Sequence, residues 1–330
     1  MPASAPPEKI KPEKVLRDLR DLWAQLASNQ EESGSVLRAC AMTLLVVAHD
    51  EDAAERVRRI LGGVMHDHPC RAIVLRMSPG AGLAARVFAE CWMPSGSHKQ
   101  ICAEGIELTA DALHLEDAAQ LALPLIVPDL PVMVWFHGAG ALSREMYAAD
   151  PLLKLAQKVI VDSGAPSAIG PASGIAAVRA LRSPSRRVAD LAWTRLTGWR
   201  ESIANAFTCN RSWVISGVHI QYAGAESTSM LYFQRWIERA VPSARITLEP
   251  VSGAGGLRSV SLSGGNDSVT VALSGPVSGP VSGEAAIEVT VGDKRARSPL
   301  PSTSEEALMR EELSIPGADP VFEAVLDATP

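Results

Sequence analysis

The sequence predicts an α/β protein of two linked units, with mixed, largely parallel sheets flanked by helices and an antiparallel extension near the C-terminus. Three observations predict it. Continuous apolar runs, such as 42–48 and 132–136, read as strands buried on both faces, the habit of parallel sheets. Segments with apolar residues at i, i+3, i+4 and i+7 alternate with those runs and read as helices. Beyond residue 256, strand patterns follow one another without intervening helices. At 330 residues the chain exceeds what one core usually holds. The expected division is an N-terminal unit with a leading helix over 1–140 and a C-terminal unit, with the extension and terminal helices, over 141–330.

Residues 12–30 carry Val15, Leu16, Leu19, Leu22, Trp23 and Leu26 on one helical face. The strand 42–48 follows, and Asp50 is placed to cap a helix bearing Ala54, Val57, Ile60, Leu61 and Val64. HDHP at 66–69 stops that helix, and CRAIVLRM is the next strand. Strand, helix and strand with short joints make a βαβ unit with parallel pairing. Two alternating runs between 85 and 108 flank PSGS and predict a hairpin in the same sheet. After a short helix near 112–121, Pro124, Pro128 and Pro131 exclude a helix, and Val132–Phe136 is apolar enough for a central strand. DPLLKLAQ predicts a helix, KVIVDSG a strand, SGIAAVRALR a helix, SWVISGVHIQY a strand, STSMLYFQRWIERA a helix and ARITLEPV a strand. Strands near 257–262, 267–273 and 285–291 form the extension, SGPVSGPVSG is a lengthened loop, and the tail gives two short helices, the first capped by Ser or Thr.

Composition excludes several classes of function. The net charge is -6, and no Lys/Arg run is interleaved with aromatics, so no nucleic-acid partner is expected. The N-terminus lacks an apolar signal region and no run reaches the ~18 residues a membrane span needs, so a cytoplasmic protein is expected. The five cysteines, Cys40, Cys70, Cys91, Cys102 and Cys209, lack CxxC spacing and read as buried free thiols rather than a disulfide framework.

Catalytic signals are sparse. The strand ending in His137-Gly138-Ala139-Gly140 resembles part of a dinucleotide fingerprint, but the third glycine position is Ser143; Asp162 sits where a ribose-binding acid would. The same HGAG resembles a lipase oxyanion loop, yet the chain has no GxSxG nucleophile elbow. His66, His68 and Cys70 would not converge on a metal at a helix end, and His49, Asp50 and Glu51 read as a cap and first turn. No cofactor, metal or catalytic residue is therefore expected. The alternative is a nucleotide- or sugar-phosphate-binding enzyme of doubly wound type using the His137–Gly140 turn.

The densest segment is DLAWTRLTGWRESIANAF, residues 190–207. It holds two of the seven tryptophans in a chain with five Phe and three Tyr. Thr197 is placed to cap a helix starting with Gly198, Trp199 and Arg200, with Ile203, Ala206 and Phe207 buried, while Trp193 and Arg195 fall before the cap in a non-helical stretch. Trp and Arg are enriched at binding hot spots. Trp193, Arg195, Trp199, Arg200 and Glu201 are thus the expected partner contacts, with Pro128, Asp129, Pro131, Trp135 and Thr197 as scaffold. LPLIVPDLPVMVWFHG and this segment, together with VLRACAMTLLVV, HPCRAIVL and LMREELSIPGADPVFEAVL, resemble the OpcA family of glucose-6-phosphate dehydrogenase assembly proteins. Two positions depart from that pattern: Gly198 stands where Pro is usual, and Phe136 where a second Trp is frequent. The resemblance implies a non-catalytic protein that binds glucose-6-phosphate dehydrogenase and promotes its assembly or activation, supporting the oxidative pentose phosphate pathway.

Overall fold

The structure is a computed structural model, and the residues it describes are 10–28, 36–96, 99–111, 114–138, 150–165, 170–208, 213–253, 255–265, 267–275, 285–315 and 317–328. The chain divides into two compact units. One comprises Met1–Ala168, Leu181–Ala189 and Glu312–Ser314; the other comprises Ile169–Ala180, Asp190–Glu311 and Ile315–Pro330.

The first unit is built on a largely parallel sheet. Its central strand β2 (Met42–Ala48) is buried at every residue because both its neighbours and both its faces are covered. Asp50 accepts a hydrogen bond from the Ala53 amide at 2.6 Å and so opens α2 (Glu51–Asp67), as its position before the apolar periodicity predicts. The chain returns in β3 (Cys70–Met77), paired parallel to β2 with Met42 beside Cys70. The hairpin follows as β4 (Ala84–Trp92) and β5 (Gln100–Ala110), antiparallel to each other, with β5 also parallel to β3. A short strand β1 (Val36–Arg38), not anticipated from the sequence, pairs with the start of β5.

On the other side of β2 lies β6 (Val132–His137), then β7 (Lys158–Val161) and β8 (Arg187–Asp190). The sheet order is β1-β5-β3-β2-β6-β7-β8, with β4 on the outside of β5. Helix α3 (Leu115–Ala122) runs into a single 3-10 turn, Leu123–Leu125, which holds Pro124 where its missing N–H is not needed. The PDLP turn follows with Asp129 at φ 63°, a left-handed conformation that Asp tolerates better than bulkier residues. From there the Pro131 carbonyl accepts from Thr43 N at 2.8 Å, which sets the register of β6 beside β2. DPLLKLAQ forms one helical turn only, α4 (Asp150–Leu153).

Leading helix α1 (Pro12–Ser28) is tied to this sheet through one buried carboxylate. Glu104, fully buried on β5, accepts from Trp23 Nε1, Arg38 Nη2 and Arg71 Nε, each at 2.6 Å, while Arg71 also donates to the Leu125 carbonyl at 2.7 Å. Glu107, three residues along, accepts from Arg86 at 2.7 Å and Arg58 at 3.1 Å. Burial pushes its carboxyl up, but the hydrogen bonds and charges of Arg86 and Arg58 together outweigh the burial and hold it below the ordinary carboxylate value. Beside it a cavity of about 300 Å³ opens between α2 and β4, walled by Val57, Leu61, Val74 and Phe88.

The reading of all cysteines as free thiols is corrected here. Cys91 and Cys102 are joined in a disulfide, with Cα atoms 4.1 Å apart. The cause is register: the β4–β5 hairpin sets Cys91 directly opposite Cys102. No local spacing rule foretells such a pair. Cys40 and Cys70 are free, and burial pushes both thiols above their ordinary value. Cys209 lies outside the described residues, as does most of SGPVSGPVSG.

The second unit contains α5 (Pro171–Ala180), α6 (Leu191–Thr194), α7 (Thr197–Thr208), α8 (Thr228–Ala240) and α10 (Pro320–Ala328), with most of α9 (Glu305–Ser314). Among the described residues its sheet has six strands in the order β10-β9-β11-β12-β13-β14. These are β9 (Gly217–Ala223), β10 (Arg245–Val251), β11 (Gly256–Gly264), β12 (Asp267–Ser274), β13 (Ala286–Val291) and β14 (Lys294–Pro299). Only β9 and β10 are parallel; the rest is the antiparallel extension the sequence predicts, lengthened by the unforeseen β14. Ser304 accepts from the Ala307 amide at 3.3 Å and caps α9. Across its buried face the sheet presents Val218, Ile220, Val260, Leu262, Val269, Val271 and Ile287.

Candidate functional site

The segment 190–207 is built into the core of the second unit. Asp190, fully buried, accepts from the Ala192 amide at 3.0 Å and caps α6, and its other oxygen accepts from the Tyr232 hydroxyl at 2.9 Å. Trp193 therefore lies in a capped helical turn and not in a frayed stretch, which corrects the sequence reading. Its ring is 2 % exposed and meets Tyr232 edge-on at 6.2 Å and Phe322 at 5.6 Å. The indole Nε1 donates to Asp319 at 2.8 Å. A buried Trp needs such an acceptor, because a desolvated N–H without one costs ~1–3 kcal/mol.

Arg200 lies over that ring, its guanidinium carbon 3.9 Å from the centroid, within reach of a cation–π contact. It also donates to Thr197 Oγ1 at 3.0 Å, and the Thr197 hydroxyl donates to Glu311 at 2.7 Å. Thr197 is thus the first residue of α7 rather than its cap; its hydroxyl is spent on side chains, and the cap expected of it is corrected. Trp199 is 5 % exposed and Ile203 2 %, whereas Ala206 and Phe207 are only half-buried. Arg195 is half-buried and Glu201 exposed. Of the five expected contacts, both indoles face the interior, Arg195 and Arg200 are half-buried, with Arg200 bridging ring and helix, and Glu201 alone is exposed. The sequence reading missed Asp190, Asp319, Tyr232 and Glu311. The two aspartates carry a local signal, since each precedes a helical turn and Asp319 is followed by Pro320; their long-range partners carry none.

Trp135 is fully buried at the centre of β6, and its ring meets His137 edge-on at 5.0 Å. Pro128 and Asp129 are exposed on the preceding turn, as is Pro131 at the head of the strand.

The alternative site sits where β2 and β6 end side by side, the point at which the sheet order reverses and doubly wound folds bind ligands. Ala139, Gly140 and Ser143 lie outside the described residues. Gly138 has φ 109°, and a Cβ there would stand 3.1 Å from that of His49 and 3.4 Å from that of Ala53. The glycine is thus favoured by its backbone conformation, with tight packing adding to it. The adjoining helix start holds the Asp50 carboxylate on its own amide, with Glu51 and Asp52 behind it. Three acids at that terminus oppose a pyrophosphate, which binds where such amides and the helix dipole are open to it. Among the described residues no group of three His, Cys, Asp or Glu is placed to hold a metal ion, and no helix is long and apolar enough to cross a membrane.

Fold and site together define a two-unit α/β protein whose distinguishing Trp/Arg segment is knitted into one unit rather than set in an open catalytic cleft. Residues 63–180 match the domain family described as glucose-6-phosphate dehydrogenase subunit N-terminal domain, and residues 186–326 match the corresponding C-terminal domain. The chain belongs to this OpcA family. Among curated relatives, an OpcA of Nostoc punctiforme, named for the OxPP cycle, is 28% identical over 201 residues, covering 59% of this chain and 41% of the relative. The like-named protein of Synechocystis sp. is 28% identical over 193 residues, covering 56% and 38%. The chain thus spans about two fifths of the length of the curated relatives it matches. Among solved structures, KijD10, a 3-ketoreductase from Actinomadura kijaniata, aligns with TM-score 0.47 at 8% identity, over 86% of this chain and 94% of that one. An aldose-aldose oxidoreductase from Caulobacter crescentus gives 0.44 at 11%, over 83% and 88%. A likeness of that degree assigns no activity.

Proposed function

We propose that the protein is a non-catalytic assembly factor and activator of glucose-6-phosphate dehydrogenase, acting in the oxidative pentose phosphate pathway by protein–protein binding. The observation that carries this reading is that two successive stretches, 63–180 and 186–326, both belong to domain families described as parts of a glucose-6-phosphate dehydrogenase subunit. The physical mechanism is a population shift. A partner that binds the active arrangement of the dehydrogenase more tightly moves the equilibrium by that differential affinity, and ~1–3 kcal/mol of coupling changes the active-to-inactive ratio roughly 5- to 150-fold.

The burial of the segment 190–207 divides the proposed contacts by role. Glu201 is the exposed group offered to the partner, Arg195 and Arg200 are half-buried beside it, and Trp193 and Trp199 hold the surface that presents them. The test measures the dehydrogenase of the same organism with and without the protein. Unchanged oligomer distribution and kinetics, with no complex on a sizing column, would sink the proposal. Glu201→Lys is expected to weaken activation at an unchanged melting temperature. Trp193→Ala is expected to cost about 3–5 kcal/mol of stability, since it empties a core site. Arg200→Ala loses stability as well, because its guanidinium packs on the Trp193 ring.

A further inference from the structure

The sheet of the second unit has two faces of opposite character. One carries the buried apolar residues, with α7 against β12 and β13 and α8 against β11. On the other face, the registers of the strands set out two central rows, flanked by a row that begins with Arg245 and, at the opposite end, by one in which Ala223 and Ala286 are buried. One row reads Glu249, Gln221, Ser259, Ala272, Glu288 and Arg297 from β10 to β14; the next reads Thr247, His219, Ser261, Thr270, Thr290 and Arg295. The side chains at its centre are short and satisfy one another, Ser261 with Thr270 at 3.0 Å and Ser259 with Gln221 at 2.7 Å. The ends are charged and open to solvent: the Glu249 side chain is 50% exposed and that of Arg295 72%.

We infer that this open face is an interface between two copies of the chain, related by a two-fold axis running along the strands between β11 and β12. Such an axis lays β10 of one copy over β14 of the other. Glu249 then meets the partner's Arg297, Gln221 meets the partner's Glu288, and Ser261 meets the partner's Thr270 beside the axis. Within these two rows every charged end faces an opposite charge or a hydrogen-bonding group. An axis across the strands would set Arg295 over its own copy, and like charges so placed repel. The short side chains at the centre let two sheets approach to the ~10 Å of aligned sheet packing. Six strands ~4.8 Å apart and ~20 Å long give a footprint of roughly 500 Å², at the low end of specific interfaces, so the dimer is expected to be weak and concentration-dependent. This inference does not rest on binding of the dehydrogenase, and the test uses the chain alone.

Sedimentation of the full chain from sub-micromolar to sub-millimolar concentration is expected to pass from the mass of one chain to that of two. Arg297→Glu and Glu249→Arg should each weaken the dimer about tenfold or more, because each sets like charges opposite one another. The double variant should restore it. Thr270→Lys, which puts two ammonium groups close to the axis, should abolish it. Circular dichroism melting of each variant separates loss of association from loss of fold. A single-chain mass at the highest concentration overturns the inference. So does a dimer that ignores Thr270→Lys, or two weakened single variants whose combination does not recover.

Discussion

Gly198 sits where its surroundings leave no room for a side chain. A Cβ there would come within 2.8 Å of both Leu300 Cδ1 and Pro301 Cδ, so the first turn of α7 approaches the 300–301 segment more closely than any side chain allows. Gly198→Ala is expected to destabilise the protein by about 1–3 kcal/mol, the range of an overpacked core, although alanine favours the helix itself. Urea unfolding followed by tryptophan fluorescence measures it. A neutral or stabilising outcome would show that Leu300 and Pro301 yield at little cost. Gly105 raises the same problem on β5, where the Phe88 ring occupies the place a Cβ would take and uses the glycine as its floor.

The joining of elements depends on few groups. Helix α1 is amphipathic and its apolar face packs on β4 and the turn after α3, but its orientation is set by the indole of Trp23 on Glu104. The same carboxylate holds Arg38 of β1 and Arg71 of β3, and both Glu104 and Arg71 are withdrawn from water. Breaking such a buried pair leaves an uncompensated charge and costs about 3–5 kcal/mol. Glu104→Ala should lose that much in equilibrium unfolding, with α1 amides exchanging faster than those of β2 and β3. Equal acceleration in all three would mean that the carboxylate supports the whole sheet and not the helix attachment. The apolar periodicity of α1 is visible in the sequence; the acceptor for its tryptophan, on a strand far along the chain, is not.

The two units are interlaced along the chain, since the first takes back Leu181–Ala189 and Glu312–Ser314 after the second has begun. Within the first unit, Lys158 on β7 donates to the Glu312 carboxylate at 2.7 Å and carbonyl at 2.6 Å, and both residues are buried. A fragment ending at residue 168 therefore lacks β8 and the buried partner of Lys158. It is expected to melt at least several degrees lower than the full chain, or without a cooperative transition; several kcal/mol shifts a midpoint that far. A fragment that melts like the intact chain would mean the unit closes without its returning segments.

Local chemistry made much of this protein readable. Met42–Ala48 and Cys70–Met77 are apolar enough to name their own burial, Asp50 announces its helix, and PSGS announces a hairpin, because each signal lies within a few residues of its effect. The family pattern was likewise carried by contiguous stretches such as WTRLTGWRE. Short edge strands such as β1, β8 and β14 escaped, since three to six partly exposed residues bear no periodic signal. The cysteine pair and the role of Trp193 were settled by tertiary structure alone. Cys91 and Cys102 depend on a register, and Trp193 on Asp319, Phe322 and Tyr232 arriving from distant helices. Sequence spacing sets the direction of a side chain within its own element, but whether that direction ends in solvent or in another element is decided by how the elements pack.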